Sequence, residues 1–151
     1  VKLSYSGYSG FTRGVDYTVS FSRNLNAGTA KLKITGNGLV KGEITGNFTI
    51  HKASNPLSVK VKNKRISVKY SKKASRTIYA KNWRVLRHAA GKVKYKKISG
   101  NRKIAVSPKG KIVVRKGLKR GTYKVRIAVR AAGTRNYEAK AVKVALKIMV
   151  K

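Results

Sequence analysis

Apolar side chains recur at every second position through most of this chain, the period of strands with one face buried and one in water. Near the start, Val15, Tyr17, Val19 and Phe21 share one phase, opposite Asp16, Thr18 and Ser20. The turn residues 24–28 follow. The run 29–35 then sets Ala30, Leu32 and Ile34 against Lys31 and Lys33. Gly36-Asn37-Gly38 breaks that run, Gly42 and Gly46 punctuate the next, and Phe48 and Ile50 read as the inner face of a further strand. Residues 1–8 are expected to form another strand. Beyond residue 56 the same alternation predicts strands at 57–61, 65–70, 77–80, 91–98, 103–106, 111–114, 122–129 and 139–150.

Two of these runs are long enough to assign faces residue by residue. In 123–130 the inward set is Tyr123, Val125, Ile127 and Val129, and the outward set is Lys124, Arg126, Ala128 and Arg130. In the last strand Val142, Val144, Leu146, Ile148 and Val150 alternate with Lys143, Ala145 and Lys147. Turn signals separate the runs at Gly100-Asn101, Pro108-Lys109-Gly110, Gly117, Gly121 and Gly133. Helical periodicity is missing, and only 83–90 tolerates a turn of helix. Short strands with glycine-rich turns predict an all-β, antiparallel sandwich.

Charge divides the chain in two. There are 38 Lys+Arg against 3 Asp+Glu. Residues 1–51 hold six bases and two acids, a net of +4, whereas 52–151 hold 32 bases and one acid, Glu138, a net of +31. So steep a shift between His51 and Pro56 predicts two modules, 1–51 and 52–151. The hydrophobic fraction of 41% is ordinary and argues against disorder. With no cysteine there is neither a disulfide framework nor a thiolate metal site. No apolar run reaches the roughly 18 residues of a membrane span. A start at Val1 and no visible signal peptide read as a piece of a longer protein.

Gly14-Val15-Asp16-Tyr17-Thr18-Val19-Ser20-Phe21, then Asn24-Leu25-Asn26-Ala27-Gly28-Thr29-Ala30, then Ile34-Thr35-Gly36-Asn37-Gly38, resembles the bacterial immunoglobulin-like repeat of large secreted or wall-attached proteins of Gram-positive bacteria. The resemblance covers 15–50. Residues 52–151, with Gly91-Lys92-Val93-Lys94-Tyr95, Gly110-Lys111-Ile112-Val113-Val114, Gly121-Thr122-Tyr123-Lys124-Val125 and Ala132-Gly133-Thr134-Arg135-Asn136-Tyr137, look like the lysine-rich sandwich that follows such repeats. The resemblance implies antiparallel immunoglobulin-like β-sandwich modules, the first truncated at its N-terminus. It further implies an extracellular or cell-wall-associated setting and a surface module that spaces, displays or adheres, without catalysis.

The few candidate chemical groups have simpler structural readings. Asp16, beside Lys and Asn and with Glu43 or Glu138 as the assisting acid, could in principle form an intramolecular isopeptide bond. That chemistry needs its lysine in an apolar core, and the lysines alternate onto the solvent face, so a turn-capping role is expected. His51 and His88 lack a nucleophile elbow or enough partners for a metal. The glycines do not form a phosphate loop and instead supply positive φ in turns. Trp83 with Tyr70, Tyr79 and Tyr95 could stack a sugar or base, but Tyr70 and Tyr95 fall on inward phases and a lone Trp in a sandwich is expected in the core. Neither a cofactor nor a metal is expected.

The basic surface is what remains. Outward lysines and arginines are expected on both sheets, and Arg115-Lys116-Gly117-Leu118-Lys119-Arg120 adds a loop cluster. The candidate ligand-binding residues are Lys92, Lys94, Lys96, Arg115, Lys116, Lys119, Arg120, Lys124, Arg126 and Arg130. One acid among 32 bases offers little neutralisation, and such self-repulsion opposes folding, so a gain in binding an anionic polymer is expected. Teichoic acid phosphates, acidic host glycans and non-specific DNA are the candidate partners. No nucleic-acid recognition motif is present. The leading expectation is a non-enzymatic adhesion or attachment module. The alternatives are a structural spacer or an accessory domain of a secreted wall hydrolase or glycosidase.

Overall fold

A computed structural model describes Ser4 and residues 10–151; the strand expected at 1–8 lies, apart from Ser4, outside the described residues. The chain divides into two compact units, Val1–Lys52 and Ala53–Lys151. Among the described residues of the first unit, β1 (Tyr17–Ser22), β2 (Gly28–Gly36) and β3 (Glu43–Ile50) form an antiparallel meander in that order. Val19 lies opposite Ile34, which lies opposite Ile44, so the apolar phases of the three strands share one face. Tyr17, Ala30 and Ile34 are buried there. Phe48, expected on an inner face, is 39% exposed and meets Phe21, 45% exposed, edge to face at 6.0 Å. Asp16 caps a turn: its Oδ2 accepts the Thr12 N–H at 2.7 Å.

The second unit contains β4 (Ser58–Val61), β5 (Arg65–Val68), β6 (Arg76–Ile78), α1 (Ala80–Trp83), β7 (Arg84–Arg87), β8 (Val93–Ser99), β9 (Ile104–Val106), β10 (Ile112–Val114), β11 (Gly121–Ala131) and β12 (Lys140–Val150). A four-stranded sheet runs β5-β12-β11-β8, a three-stranded sheet runs β6-β10-β9, and β4 pairs with β7. One core cluster unites the layers: Val125, Ile127, Val129, Leu146 and Ile148 from the larger sheet, Ile78, Ile104, Ile112 and Val114 from the smaller, and Trp83 from the end of α1.

Three features depart from the sequence pattern. Strand β7 has no alternation to announce it, reading Arg-Val-Leu-Arg; it exists because it pairs with β4, with Leu86 opposite Val59. The one helical turn ends at Trp83 and does not run through 83–90. And β5 joins β12 in parallel, with Ile66 opposite Ile148, in an otherwise antiparallel sheet. The chain leaves the β4–β7 pair after Val61 and enters the larger sheet at β5; the parallel partners β5 and β12 are joined by residues 69–139, far more than the dozen or so that parallel pairing requires.

Two polar anchors hold the irregular parts of this unit. Trp83 is fully buried; its Nε1–H donates to the Gly110 carbonyl at 2.9 Å and its ring meets Tyr95 edge to face at 6.0 Å. Asn55, 2% exposed, donates from Nδ2 to the Ala90 and Glu138 carbonyls at 2.8 and 3.0 Å. Its Oδ1 accepts from the backbone N–H groups of Leu57 and Ala90. A single side chain thus ties the start of the unit to two distant loops. Next to it, Gly91 and Gly133 approach so closely that a Cβ on Gly91 (φ +87) would overlap the Gly133 carbonyl. Asn55→Ala removes four hydrogen bonds to the backbone, one of them fully buried, and is expected to lower stability by about 2 kcal/mol, read as a denaturation midpoint that falls with an unchanged slope.

Candidate functional site

The candidate site is the outward side of the four-stranded sheet. On β11, Val125, Ile127 and Val129 are fully buried, so Lys124, Arg126, Ala128 and Arg130 must point away from the core. Strand register then fixes their neighbours. Lys124 lies opposite Lys147, and Lys147 opposite Arg65. Arg126 sits between Ala145 and Ser99. Ala128 sits between Lys143 and Lys96, and Arg130 faces Lys94 with Ala141 on its other side. Four successive levels of one face therefore each carry at least one base and no acid.

Directly opposed like charges weaken a strand pair, and this face contains three such pairs: Lys124–Lys147, Lys147–Arg65 and Arg130–Lys94. Among the described residues the ion pair is Lys33–Glu43, at 2.6 Å in the first unit. The face is therefore neutralised from solution. Lys147→Glu, which sets a carboxylate between two bases, is expected to stabilise the fold by up to about 1 kcal/mol in a low-salt melt.

The opposite sheet looks different. Its outward rank is Thr77, Val113 and Ala105, because Ile78, Ile112, Val114 and Ile104 point inward. Its bases are fewer: Arg76 on the edge strand β6, Lys111 before β10, over the Tyr79 ring at 5.3 Å, and Arg115 after it. Charge is thus unequal between the two sheets: eight bases stand on the outward face of the larger sheet, whereas the strands of the smaller carry Arg76 alone.

Of the ten candidate residues, Lys94, Lys96, Lys124, Arg126 and Arg130 come together on this face. Lys92 is exposed just ahead of β8, its carbonyl accepting the Ala132 N–H. The loop cluster is split. Lys119 and Arg120 lead into β11; the Lys119 carbonyl accepts the Tyr123 hydroxyl at 2.8 Å, and the Arg120 guanidinium lies 5.9 Å from the Tyr70 ring. Arg115 and Lys116 follow β10 of the opposite sheet, and the Lys116 N–H donates to Ser75 Oγ. Register adds Arg65, Lys143 and Lys147, whose alternation marks them as outward but cannot say which strands lie side by side.

Several lysines serve the fold instead. A bulge between β8 and β11 leaves Ile98 unpaired, and Lys97 turns its Nζ to the Asn101 and Ile104 carbonyls at 3.1 and 2.8 Å. Lys103 Nζ donates to the Gly117 carbonyl, and Lys140 Nζ to the Asn55 carbonyl. Of the aromatics, Trp83 and Tyr95 are core material, whereas Tyr79 is exposed. Tyr95 is buried under the Arg84 guanidinium, 4.9 Å from its ring; burial pushes the phenol pKa up, with the Arg84 charge pulling against it. Among the described residues no three His, Cys, Asp or Glu side chains come together as metal ligands, and no helix is long and apolar enough to cross a membrane.

Neither a protein-family model nor a curated protein matches this sequence. Solved structures do. Human protocadherin-24 EC1-2, crystal form II, aligns with a TM-score of 0.53 at 10% identity, over 91% of this chain and 83% of that one. The fold is a cadherin-like, immunoglobulin-type β-sandwich. Lesser likenesses are the protocadherin gammaB7 EC3-6 cis-dimer structure (TM-score 0.46, 12% identity, 90% of this chain) and the protocadherin gammaB4 extracellular domain (0.49, 9%, 89%). The chain spans 41% and 27% of the length of those two.

Proposed function

We propose that this chain is a non-enzymatic attachment module that holds its parent protein on an anionic polymer at a bacterial surface, teichoic acid of the Gram-positive wall being the leading partner. The observation that carries the reading is the concentration of charge: Arg65, Lys94, Lys96, Lys124, Arg126, Arg130, Lys143 and Lys147 crowd one sheet face, while the smaller sheet sets Thr77, Val113 and Ala105 across its outward rank and carries one strand base, Arg76, at its edge. Charge scattered for solubility alone has no reason to favour one side, and it avoids opposed like pairs. The resemblance of residues 15–50 to Gram-positive surface repeats supports an extracellular, wall-associated setting.

Binding of this kind releases counterions and weakens steeply with salt. The test is retention of the full chain on purified Gram-positive walls, before and after teichoic acid is stripped from them. The reading predicts retention that needs the polymer and is lost on raising salt. Equal retention on stripped walls would move the partner elsewhere. No retention at low salt would leave a structural spacer.

A further inference from the structure

We infer that the basic face is a track for one extended polyol-phosphate chain lying along β11, with the phosphates in step with its alternate residues; the inference rests on the attachment reading above. Register supplies the geometry. Along β11 the levels of Lys124, Arg126, Ala128 and Arg130 follow one another at about 7 Å, two residues of strand rise. A cation stands at each level: Lys124 with Lys147, then Arg126, then Lys96 and Lys143 on either side of Ala128, then Arg130 with Lys94.

The floor between the bases is low. Ala145 lies opposite Arg126, and Ala128 takes the central position one level on. Two shallow depressions of about 250 and 310 Å³ share Ala145, the first bounded by Arg65, Lys124 and Lys147, the second by Ile98, Arg126 and Lys143. A chain resting on these methyl groups has ammonium and guanidinium groups on both sides of it. Arg126 and Arg130 can each meet a phosphate with two parallel N–H bonds.

The chemistry of the face selects the polymer class. Across the four levels the side chains are Lys, Arg, Ala and Ser, with Ile98 at the bulge. No aromatic ring is present there to stack a nucleobase, the main source of affinity for single-stranded nucleic acid beyond charge. No carboxylate or amide is present to bond sugar hydroxyls in pairs. What the face recognises is a regularly spaced anion on a thin, flexible backbone, and a polyol phosphate has that form.

Two measurements on the full chain test this, both using glycerol-phosphate oligomers of defined length. Affinity of the unaltered protein is expected to climb with each added phosphate up to about four, one per level, and then to flatten, with a slope of log affinity against log salt near −3 at about 0.7 per phosphate. Ala145→Ile fills both depressions at an exposed strand position without altering charge, and is expected to weaken the four-phosphate oligomer about tenfold, a loss of about 1.4 kcal/mol, and to flatten the slope by about 1. Affinity that rises evenly far past four phosphates, or is untouched by Ala145→Ile in protein with an unchanged circular dichroism spectrum, overturns the track and leaves charge-driven attachment standing. Failure of the unaltered protein to bind any oligomer at low salt removes both.

Discussion

Replacing Lys94, Lys96, Arg126 and Arg130 together by glutamine is expected to weaken binding to a teichoic-acid-type polymer at least a hundredfold at about physiological salt, with a salt slope flatter by about 2, three levels at about 0.7 each. The four side chains cover three of the four levels on the outward face, are exposed, and lie in the phase opposite the fully buried Val125, Ile127 and Val129. Glutamine keeps most of each side chain's length and removes only the charge, so the fold is expected to survive; relief of the Arg130–Lys94 repulsion favours it. The matching control changes Lys62, Lys69, Lys72 and Lys109, four exposed lysines outside the ranks of the face, to glutamine. Net charge falls equally in the two variants. If attachment reads the face and not the total, the control loses far less. Titration of each variant with the soluble polymer, at several salt concentrations, gives the comparison.

The largest expected effect on stability comes from Trp83→Ala. The indole is fully buried at the junction of α1 and β7, makes a hydrogen bond to the Gly110 carbonyl, and packs on Tyr95. Truncation opens a large cavity and orphans a buried carbonyl, a loss of about 3–5 kcal/mol. For a unit of this size that is a fall in melting temperature on the order of 20 °C, enough to unfold a marginal domain outright. Trp83→Phe retains the ring contact but not the N–H donor, and is expected to lie between the two. Thermal melts followed by near-ultraviolet circular dichroism order the three proteins. A Trp83→Ala melt within a few degrees of the unaltered chain would mean that the indole does not hold this core together. The same core carries a pH signature. Burial raises the Tyr95 phenol pKa, so its contribution is complete through neutral pH and is lost only as alkali ionises the ring.

The sandwich was legible in the sequence because period-2 alternation survives wherever a strand has one wet face. Strands β11 and β12 satisfy it over their whole length, and their buried and exposed residues fall in the expected phases. Strand β7 was not legible, since its four residues alternate with nothing and owe their conformation to β4. The parallel entry of β5 is likewise a fact of tertiary pairing.

The site was legible to the same depth. Alternation marks Lys124, Arg126 and Arg130 as outward, but it cannot know that Lys94, Lys96, Lys143 and Lys147 belong to neighbouring strands of the same sheet. Nor can it tell that Lys97, Lys103 and Lys140 spend their charges on backbone carbonyls. The loop cluster looked like one patch because its residues are consecutive. In space Arg115 and Lys116 leave one sheet while Lys119 and Arg120 enter the other. Summed charge is a property of composition; a charged face is a property of register.

That distinction sets the decisive measurement, the map of backbone amide chemical shifts in the full chain as a soluble glycerol-phosphate polymer is added at low salt. The account predicts that the shifts gather on β8, β11 and β12, largest near Lys96, Arg126, Lys143 and Lys147, and that Thr77, Ala105 and Val113 stay still. Shifts spread evenly over both sheets, or centred on β6, β9 and β10, would contradict it.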